Sequence, residues 1–316
     1  MALLDQMPGV AMPVSEVSGA LRELWTTDEG EAPTKFRAVQ SNLILHFGLA
    51  TTDSEAKAVL DRALEFARRY PCRLVCLCPS EDAGGGLMRG KLFSQCYLAG
   101  RAKHPVCCEA LMLGYAPDDA EFLEHQVSVW LESDLPTYHW FHRVPPERIL
   151  HSYMPFLKMV RRAAYDSSLE GHGYPHVQWP CPRGARDLAD ARLLHVRQCL
   201  GQFLSSYPVE QLTEGLESCV TLHGPGLGGE ARSLSSWVQD ALADTGASPE
   251  VQVDSQEEAG LQMQWKFEGG KHFDMGLDPA LASCRIRSNF GGAPTDFPLQ
   301  MKPPSSQLTL AEALFF

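Results

Sequence analysis

The feature that most constrains the fold is an alternation of largely apolar, strand-length runs with amphipathic helical segments. The run NLILHF, residues 42–47, has the length of a buried strand, and residues 73–78 form a second such run. Between them, Asp53 can cap a helix whose apolar residues recur every three or four positions until Pro71 ends it. Strands without a polar face that are joined by helices are typical of a parallel sheet covered on both sides.

The same alternation continues beyond a glycine-rich loop at residues 84–90. The pattern predicts strands over residues 106–113, 137–141 and 163–166 and helices over residues 118–131 and 148–162. Upstream, apolar residues at helical spacing predict a short amphipathic helix. We therefore expect an N-terminal amphipathic helix and linker over residues 1–34, followed by an α/β domain with a mostly parallel sheet over residues 35–170.

A turn-rich stretch, EGHGYPHVQWPCPRGA, separates this domain from the rest of the chain. Beyond it, the pattern predicts helices from residue 187 to about 204 and around 234–242, with strands at 217–222 and 251–253. The alternating segments LQMQWKF and 283–288 then indicate antiparallel strands with one exposed face. The fold class is therefore α/β with two domains, the second (185–316) having a mixed sheet and a C-terminal tail, LTLAEALFF.

Charge and composition limit the kinds of partner that we expect for this chain. The chain has 27 basic and 39 acidic residues, a net charge of −12, so we expect no nucleic-acid partner. No apolar run approaches the ~18 to 20 residues that span a bilayer, and the start MALLDQMPGV lacks the features of a secretory signal, which predicts a cytoplasmic protein without a membrane partner. The 10 cysteines lie mostly in apolar segments, as reduced, buried thiols do.

One loop could hold a nucleotide. In HGPGLGGE, the residues Gly224, Gly226 and Gly229 fit the dinucleotide-binding pattern between a predicted strand and helix, and Asp254 ends the next strand, where a ribose would lie. The spacing to Asp254 is longer than usual, and Pro225 removes one backbone donor. A nucleotide- or sugar-phosphate-binding enzyme or sensor therefore stays open as an alternative to a plain surface loop.

Other motifs give no catalytic or metal site. GGLMRGK resembles a phosphate loop, but Leu92 stands where the magnesium-binding hydroxyl belongs. The cysteines near His104 lack a C-x-x-C pair, and no serine occupies a G-x-S-x-G elbow. We therefore predict no catalytic residue, no metal and no cofactor. His139 to Arg148 end or follow a predicted parallel strand, where open sheets bind anions, although the segment suits a protein contact equally well.

Several segments, in order along the chain, resemble one known family. They are Leu24-Trp25, Pro71-Cys72-Arg73, Cys107-Cys108-Glu109, the stretch DLPTYHWFHRVPPERILHSYMPFLKMVRRAAYDSS over residues 134–168, the helix with Asp187, Leu188, Arg192, Leu193 and Arg197, and Trp237. Together they are similar to the glucose-6-phosphate dehydrogenase assembly protein OpcA family. One departure lies in the late helix, where Leu194, His195 and Val196 replace a Thr-Pro-Trp step that family members often carry.

The resemblance implies a non-catalytic protein that binds the NADP-dependent glucose-6-phosphate dehydrogenase and promotes its active oligomer. It also implies thiol redox control in some members, which points to Cys107 and Cys108 as possible redox thiols and to a thioredoxin-type redox partner. On the resemblance and on their aromatic or amphipathic character, the candidate partner-binding residues form three groups. These are the segment with Tyr138, Trp140, His142, Arg143 and Arg148, a basic helix with Lys158, Arg161 and Arg162, and the apolar tail with Phe315 and Phe316.

Overall fold

The chain forms two compact units in a computed structural model that describes residues 2–24, 39–81, 88–98, 105–170, 173–257 and 260–316, without the side chains of 96–98 and 105–107. Unit 1 comprises Met1–Asp166, His172–Arg186 and Ser306–Phe316. Unit 2 comprises Ser167–Gly171 and Asp187–Ser305.

An eight-stranded, mostly parallel sheet organises unit 1 and confirms the predicted fold class. Its strands are β1 (Val10–Pro13), β2 (Ser41–Phe47), β3 (Cys72–Pro79), β4 (Arg89–Leu98), β5 (Pro105–Tyr115), β6 (Thr137–His142), β7 (Arg162–Tyr165) and β8 (Ala185–Asp187). They lie in the order β1-β4-β5-β3-β2-β6-β7-β8. The pairs β5–β3, β3–β2, β2–β6 and β6–β7 are parallel, whereas β4 pairs antiparallel with β1 and β5. Strands β2, β3 and β6 are buried along their whole length, as their apolar runs predict.

Helices cover this sheet. They are α1 (Leu3–Gln6), α2 (Val14–Glu23), α3 (Asp53–Arg69), α4 (Leu123–Ser128), α5 (Pro146–Arg148) and α6 (Met154–Leu157), with a π-helical turn at Ile149–Tyr153 and 3-10 turns at Pro117–Phe122 and Tyr174–His176. Thr52 caps α3, since its hydroxyl accepts a hydrogen bond from the Glu55 N–H at 3.4 Å. The apolar stripe of α3 is buried, which makes this helix a fixed wall of the core.

Two predictions in this region are wrong in detail. The loop placed at residues 84–90 gives way to β4 at Arg89, which lengthens the sheet beyond β5. The helix predicted over 148–162 ends at Leu157, because the Arg161 N–H bonds to Thr137 O at 2.7 Å and draws the chain into the sheet. Arg162 is consequently the first residue of a strand rather than part of a basic helix.

Unit 2 combines a mixed sheet with helices. Its helices are α7 (Ser167–Glu170), α8 (Leu188–Arg192), α9 (Leu194–Leu204), α10 (Val209–Thr213) and α11 (Gly228–Ala243), with a 3-10 turn at Glu268–Gly270. Its strands are β9 (Leu216–His223), β10 (Glu250–Ser255), β11 (Leu261–Phe267), β12 (His272–Asp278), β13 (Ser283–Asn289) and β14 (Thr295–Gln300). They lie in the order β10-β9-β11-β12-β13-β14. Only β9 and β10 are parallel among these pairs, so the mixed sheet is confirmed.

The helix α12 (Ser306–Phe315) belongs to unit 1 and not to the second domain, so the predicted position of the C-terminal tail in that domain is wrong. The ring of Phe315 packs on Phe66, Tyr70 and Tyr138 with centroid distances of 5.8, 5.3 and 5.2 Å. Gln307 also donates a hydrogen bond to Glu65 of α3 at 2.8 Å. Local periodicity predicts that this segment is a helix, but the identity of the surface that buries it depends on residues far away in the sequence.

Among the described residues, no helix has both the length and the apolar character that crossing a bilayer would require.

Candidate functional site

The switch point of the unit 1 sheet lies between β2 and β6, because the chain leaves β2 toward β3 on one side and returns to β6 on the other. Open α/β sheets bind ligands in the crevice at the carboxyl ends of such strands. Here the loops that follow β2 and β6 meet backbone to backbone. The Gly48 N–H donates to His142 O at 2.7 Å, and a Cβ at Gly48 would lie 1.6 Å from Arg143 O. The two loops are therefore in direct backbone contact at the position where such a crevice usually lies.

Charged side chains add to this contact. Arg143, in the left-handed region with φ 55°, places its Nε 2.8 Å from both carboxylate oxygens of Glu55 in the first turn of α3. His142 Nε2 lies 3.2 Å from Glu55 Oε1. Burial raises the pKa of Glu55, but the hydrogen bond from Arg143 and the charges of His142 and Arg143 outweigh it and lower the pKa below its ordinary value. The carboxylate thus occupies the helix start, and Arg143 is engaged within the chain.

A buried chain of hydrogen bonds crosses the core beneath the helices. His46 Nδ1 lies 3.1 Å from His139 Nε2, and His46 Nε2 lies 2.7 Å from the Tyr115 hydroxyl, which lies 2.8 Å from that of Tyr153. Burial lowers the pKa of His46 to about 3 and holds the pKa of His139 well below its ordinary value. Both rings are therefore neutral at pH 7. A neutral His46 donates through one nitrogen and accepts through the other, so it links two elements without carrying charge.

A cleft of about 490 Å³ lies in unit 1, between the 3-10 turn that follows β5 and the π-helical turn that follows α5. Asp118, Glu121 and Glu124 line one side, and Arg148, His151 and Ser152 line the other. The structure thus places Arg148, a predicted partner-binding residue, away from the buried residues of β6 and half-exposed at the cleft.

The glycine loop of unit 2 joins β9 to α11, as the sequence indicates, but its helix end is filled. A Cβ at Gly229 would lie 2.3 Å from Ser168 Oγ, and that hydroxyl donates to Glu230 at 2.7 Å. Glu230 is buried in the first turn of α11 and also accepts from Arg192 Nε at 2.5 Å. A buried carboxylate at the helix start would repel a pyrophosphate.

The other residues of this motif lie at the surface or within the sheet. Gly226 has φ +77° with open space around it, the Gly224 N–H donates to Gly260 O at 2.9 Å, and Asp254 is exposed on β10. The backbone donor of Gly224 is therefore already used.

The candidate partner-binding residues divide by burial. Tyr138, Trp140, His142 and Arg162 are buried, because β6 is flanked on both sides in the sheet and β7 is covered by α12. Lys158, Arg161 and Phe316 are exposed, while Arg143 and Phe315 are half-buried and engaged within unit 1. The exposed residues are the ones available to a partner in this conformation.

Arg161 and Arg162 do not stand alone. The Arg183 N–H donates to Arg161 O at 3.0 Å and the Ala163 N–H donates to Gly184 O at 3.1 Å, so the segment with Arg183 and Arg186 lies beside the start of β7. We call Arg161, Arg162, Arg183 and Arg186 the arginine patch. Burial lowers the pKa of Arg162, and the positive charges of Arg186, Arg183 and Arg161 lower it further. Neither Arg183, which lies in the predicted linker, nor Arg186, which lies at the start of the predicted second domain, is among the candidates that the sequence singles out.

The described thiols are held inside the units. Cys108, a predicted redox thiol, is 8% exposed, and the side chain of Cys107 lies outside the described residues. Burial raises the pKa of Cys78 and Cys219 to about 12 and that of Cys181 and Cys284 to about 11. Within the described part of the chain, no group of three or more His, Cys, Asp and Glu side chains could hold a metal ion.

Three solved structures resemble the chain over 86% of its length. A dipicolinate-bound dihydrodipicolinate reductase from Paenisporosarcina sp. TG-14 matches with 10% identity over 93% of that chain and a TM-score of 0.39. An aldose-aldose oxidoreductase from Caulobacter crescentus matches with 11% identity over 87% of that chain and a TM-score of 0.39. KijD10, a 3-ketoreductase from Actinomadura kijaniata, matches with 13% identity over 88% of that chain and a TM-score of 0.44. TM-scores in this range carry no functional argument.

Comparison of the sequence with family models gives a more specific result than comparison with individual proteins. No significant match to a curated protein was found. A family model described as the glucose-6-phosphate dehydrogenase subunit N-terminal domain matches residues 63–175, which run from within α3 past β7 and include most of the unit 1 sheet. Residues 63–175 therefore match the OpcA family, and the resemblance found in the sequence is confirmed over that stretch.

Proposed function

We propose that this protein is a non-catalytic partner of glucose-6-phosphate dehydrogenase that binds the enzyme and promotes its active, assembled state. The observation that carries the proposal is the match of residues 63–175 to a domain named for that enzyme. The packing at two places where α/β proteins commonly bind nucleotides supports the proposal. Glu55 and Arg143 occupy one of them, and Ser168 and Glu230 occupy the other. Such packing suits a protein that acts through its surface.

Activation requires that the protein bind the active state of the enzyme more tightly than the inactive state. A shift from mostly inactive to mostly active needs a preference of up to ~10⁴, or roughly 5.5 kcal/mol. An interface of standard size, about 1,600 Å² in total, supplies that much, whereas a small contact does not. The contact surface therefore extends well beyond one side chain.

The test mixes the purified protein with the dehydrogenase from the same organism. We expect size-exclusion chromatography with light scattering to show a complex of higher mass, and initial rates to show a higher kcat or a lower KM for glucose 6-phosphate. The measurement is made under reducing and oxidising conditions, since thiol control is part of the expectation. Unchanged mass and unchanged rates at micromolar protein in both conditions would refute the proposal.

The alternative, a nucleotide- or sugar-phosphate-binding enzyme or sensor, makes a separate prediction. Titration calorimetry of the isolated chain with NADPH and with glucose 6-phosphate is expected to give no binding heat, because Ser168 and Glu230 fill the start of α11. The matched variants are Gly226→Asp and Gly246→Asp, two left-handed glycines with open space around them. Tight NADPH binding that is lost in the first variant and retained in the second would replace the assembly function with this one.

A further inference from the structure

The arginine patch carries an unusual concentration of positive charge for a chain of net charge −12. Arg161, Arg183 and Arg186 are exposed, and in the described part of the chain no hydrogen bond or ion pair from their side chains to a carboxylate is present. Arg162 lies among them with 6% exposure, and its Nε is buried without a hydrogen-bond partner. Among the described residues, the one side-chain hydrogen bond of Arg162 reaches Ala313 O of α12 at 3.4 Å, which is long.

Four guanidinium groups held together by neighbouring strands repel one another, and an unpartnered buried donor adds to that cost. An anion placed against the exposed guanidinium groups reduces the repulsion, because each guanidinium offers a planar set of donors that matches a carboxylate. The arrangement therefore points outward, to a negatively charged group that the described chain does not supply.

The surroundings resemble a protein interface more than a small-molecule pocket. Met159 is 37% exposed two residues before Arg161, and Lys158 adds a further exposed cation. Phe316 is 74% exposed and follows Phe315, whose ring lies 5.2 Å from Tyr138, the β6 neighbour of Arg162. Arginine, methionine and aromatic residues are the types enriched at protein–protein contacts.

We infer that the arginine patch docks a carboxylate-rich segment of a protein partner, with Phe316 and Met159 as the flanking apolar contacts. This inference rests on the proposed function, in which the partner is the dehydrogenase. The positive charge of the patch attracts an acidic segment, and the negative charge on the rest of this chain repels the same segment. Together these two effects fix where the segment binds. The patch would therefore set the orientation of the complex and its rate of formation.

The test compares the affinity of three versions of the protein for the dehydrogenase. These are the wild type, Arg183→Glu/Arg186→Glu, and the matched control Lys57→Glu/Arg62→Glu, which makes the same charge change at exposed cations on α3. We expect the patch variant to bind about tenfold or more weakly at about 0.05 M salt, mainly through slower association. The difference should shrink at about 0.5 M salt because surface charges are screened. The control should bind within about twofold of the wild type.

Each other result has a defined meaning. Equal affinity of the patch variant and the wild type, or an equal loss in the control, overturns the docking inference while the proposed function stands. Absence of any complex with the wild type removes the proposed function itself. Patch-dependent binding of a labelled single-stranded oligonucleotide, or displacement of the enzyme by inorganic phosphate at constant ionic strength, would show that the patch recognises phosphate and would also overturn the inference.

Discussion

At residue 48 the loops after β2 and β6 touch through their backbones, and only a residue without a side chain fits between them. We expect Gly48→Ala to lower the free energy of unfolding by about 2–4 kcal/mol, because its Cβ would lie 1.6 Å from Arg143 O and the loops must separate. Urea denaturation measures the change. Gly201→Ala, in helix α9 with open space around it, is the control and should be neutral or stabilising by up to about 1 kcal/mol. Equal effects at both positions would refute the close approach.

His46 predicts an acid-sensitive stability. Its pKa is lowered to about 3 in the folded chain from an ordinary value of 6.5, so below pH 6.5 the unfolded state binds a proton that the folded state does not. Stability is therefore lost as the pH falls from about 6.5 toward 3, by up to about 1.4 kcal/mol per pH unit for this ring. Unfolding free energies at pH 7, 6 and 5 test this.

The comparison variant is His46→Gln, which keeps hydrogen-bonding capacity but does not titrate. It should show a shallower fall in stability between pH 7 and 5 than the wild type, whereas His125→Gln at an exposed histidine should not. An identical fall in all three proteins would mean that His46 is not the group whose protonation opposes folding.

For single residues, the sequence predicts the element on which a residue lies better than it predicts what the side chain contacts. Trp140 is correctly predicted to lie on a strand, whose end is one residue later than predicted and includes His142. The burial of both residues follows from the sheet neighbours of β6, which no local pattern reveals. From the sequence alone, Arg143 is a candidate ligand for an anion. Its partner, Glu55, lies 88 residues earlier in the chain, so no local pattern shows that the two are paired. The signal that could have found this pair is the acidic residue in the first turn of α3.

Among the elements, α12 is attached to unit 1 by one aromatic side chain in particular. We expect Phe315→Ala to lower the free energy of unfolding of unit 1 by about 2–3 kcal/mol, because its ring packs on Phe66, Tyr70 and Tyr138. Phe316→Ala, at a side chain that is 74% exposed, should change it by no more than about 0.5 kcal/mol. Chemical denaturation of both variants provides the measurement, and a reversed order would contradict the packing of α12.

The elements that the sequence predicts well are the ones with a strong apolar pattern of their own. Strands β2, β3 and β6 and helix α3 have continuous or periodic apolar residues, and their positions agree with the sequence to within a few residues. Strand β4 was missed because Lys91, Ser94 and Gln95 interrupt its apolar pattern and a glycine-rich stretch precedes it. Its strand character comes from pairing with β1 and β5, which is a tertiary interaction.

For the molecule as a whole, the thiols predict limited reactivity. Seven of the eight cysteines whose side chains are described are buried, and Cys199 is half-buried with a pKa raised by burial. We expect maleimide labelling of the native protein, followed by mass spectrometry, to leave these eight thiols largely unmodified over minutes, and labelling in denaturant to modify all 10 cysteines. Rapid native labelling of Cys108 would contradict its burial and would support thioredoxin-type control through that residue.

The arginine patch shows why a site can escape prediction at this scale. The sequence points to Arg161 and Arg162 as candidates, whereas Arg183 lies in the turn-rich stretch and Arg186 directly follows it, and no periodicity marks either residue. The adjacency of β7 and β8 in the sheet brings the two pairs together. That adjacency depends on the whole sheet order.

The return of α12 to unit 1 has a consequence for synthesis on the ribosome. Translation proceeds from the amino to the carboxyl end, so every residue of unit 2 from Asp187 to Ser305 is made before α12. Until then, the aromatic surface around Tyr138 and Phe66 that receives Phe315 stays uncovered on the nascent chain. Unit 2 can thus reach its final structure first, and unit 1, although it begins earlier, is the last to be completed.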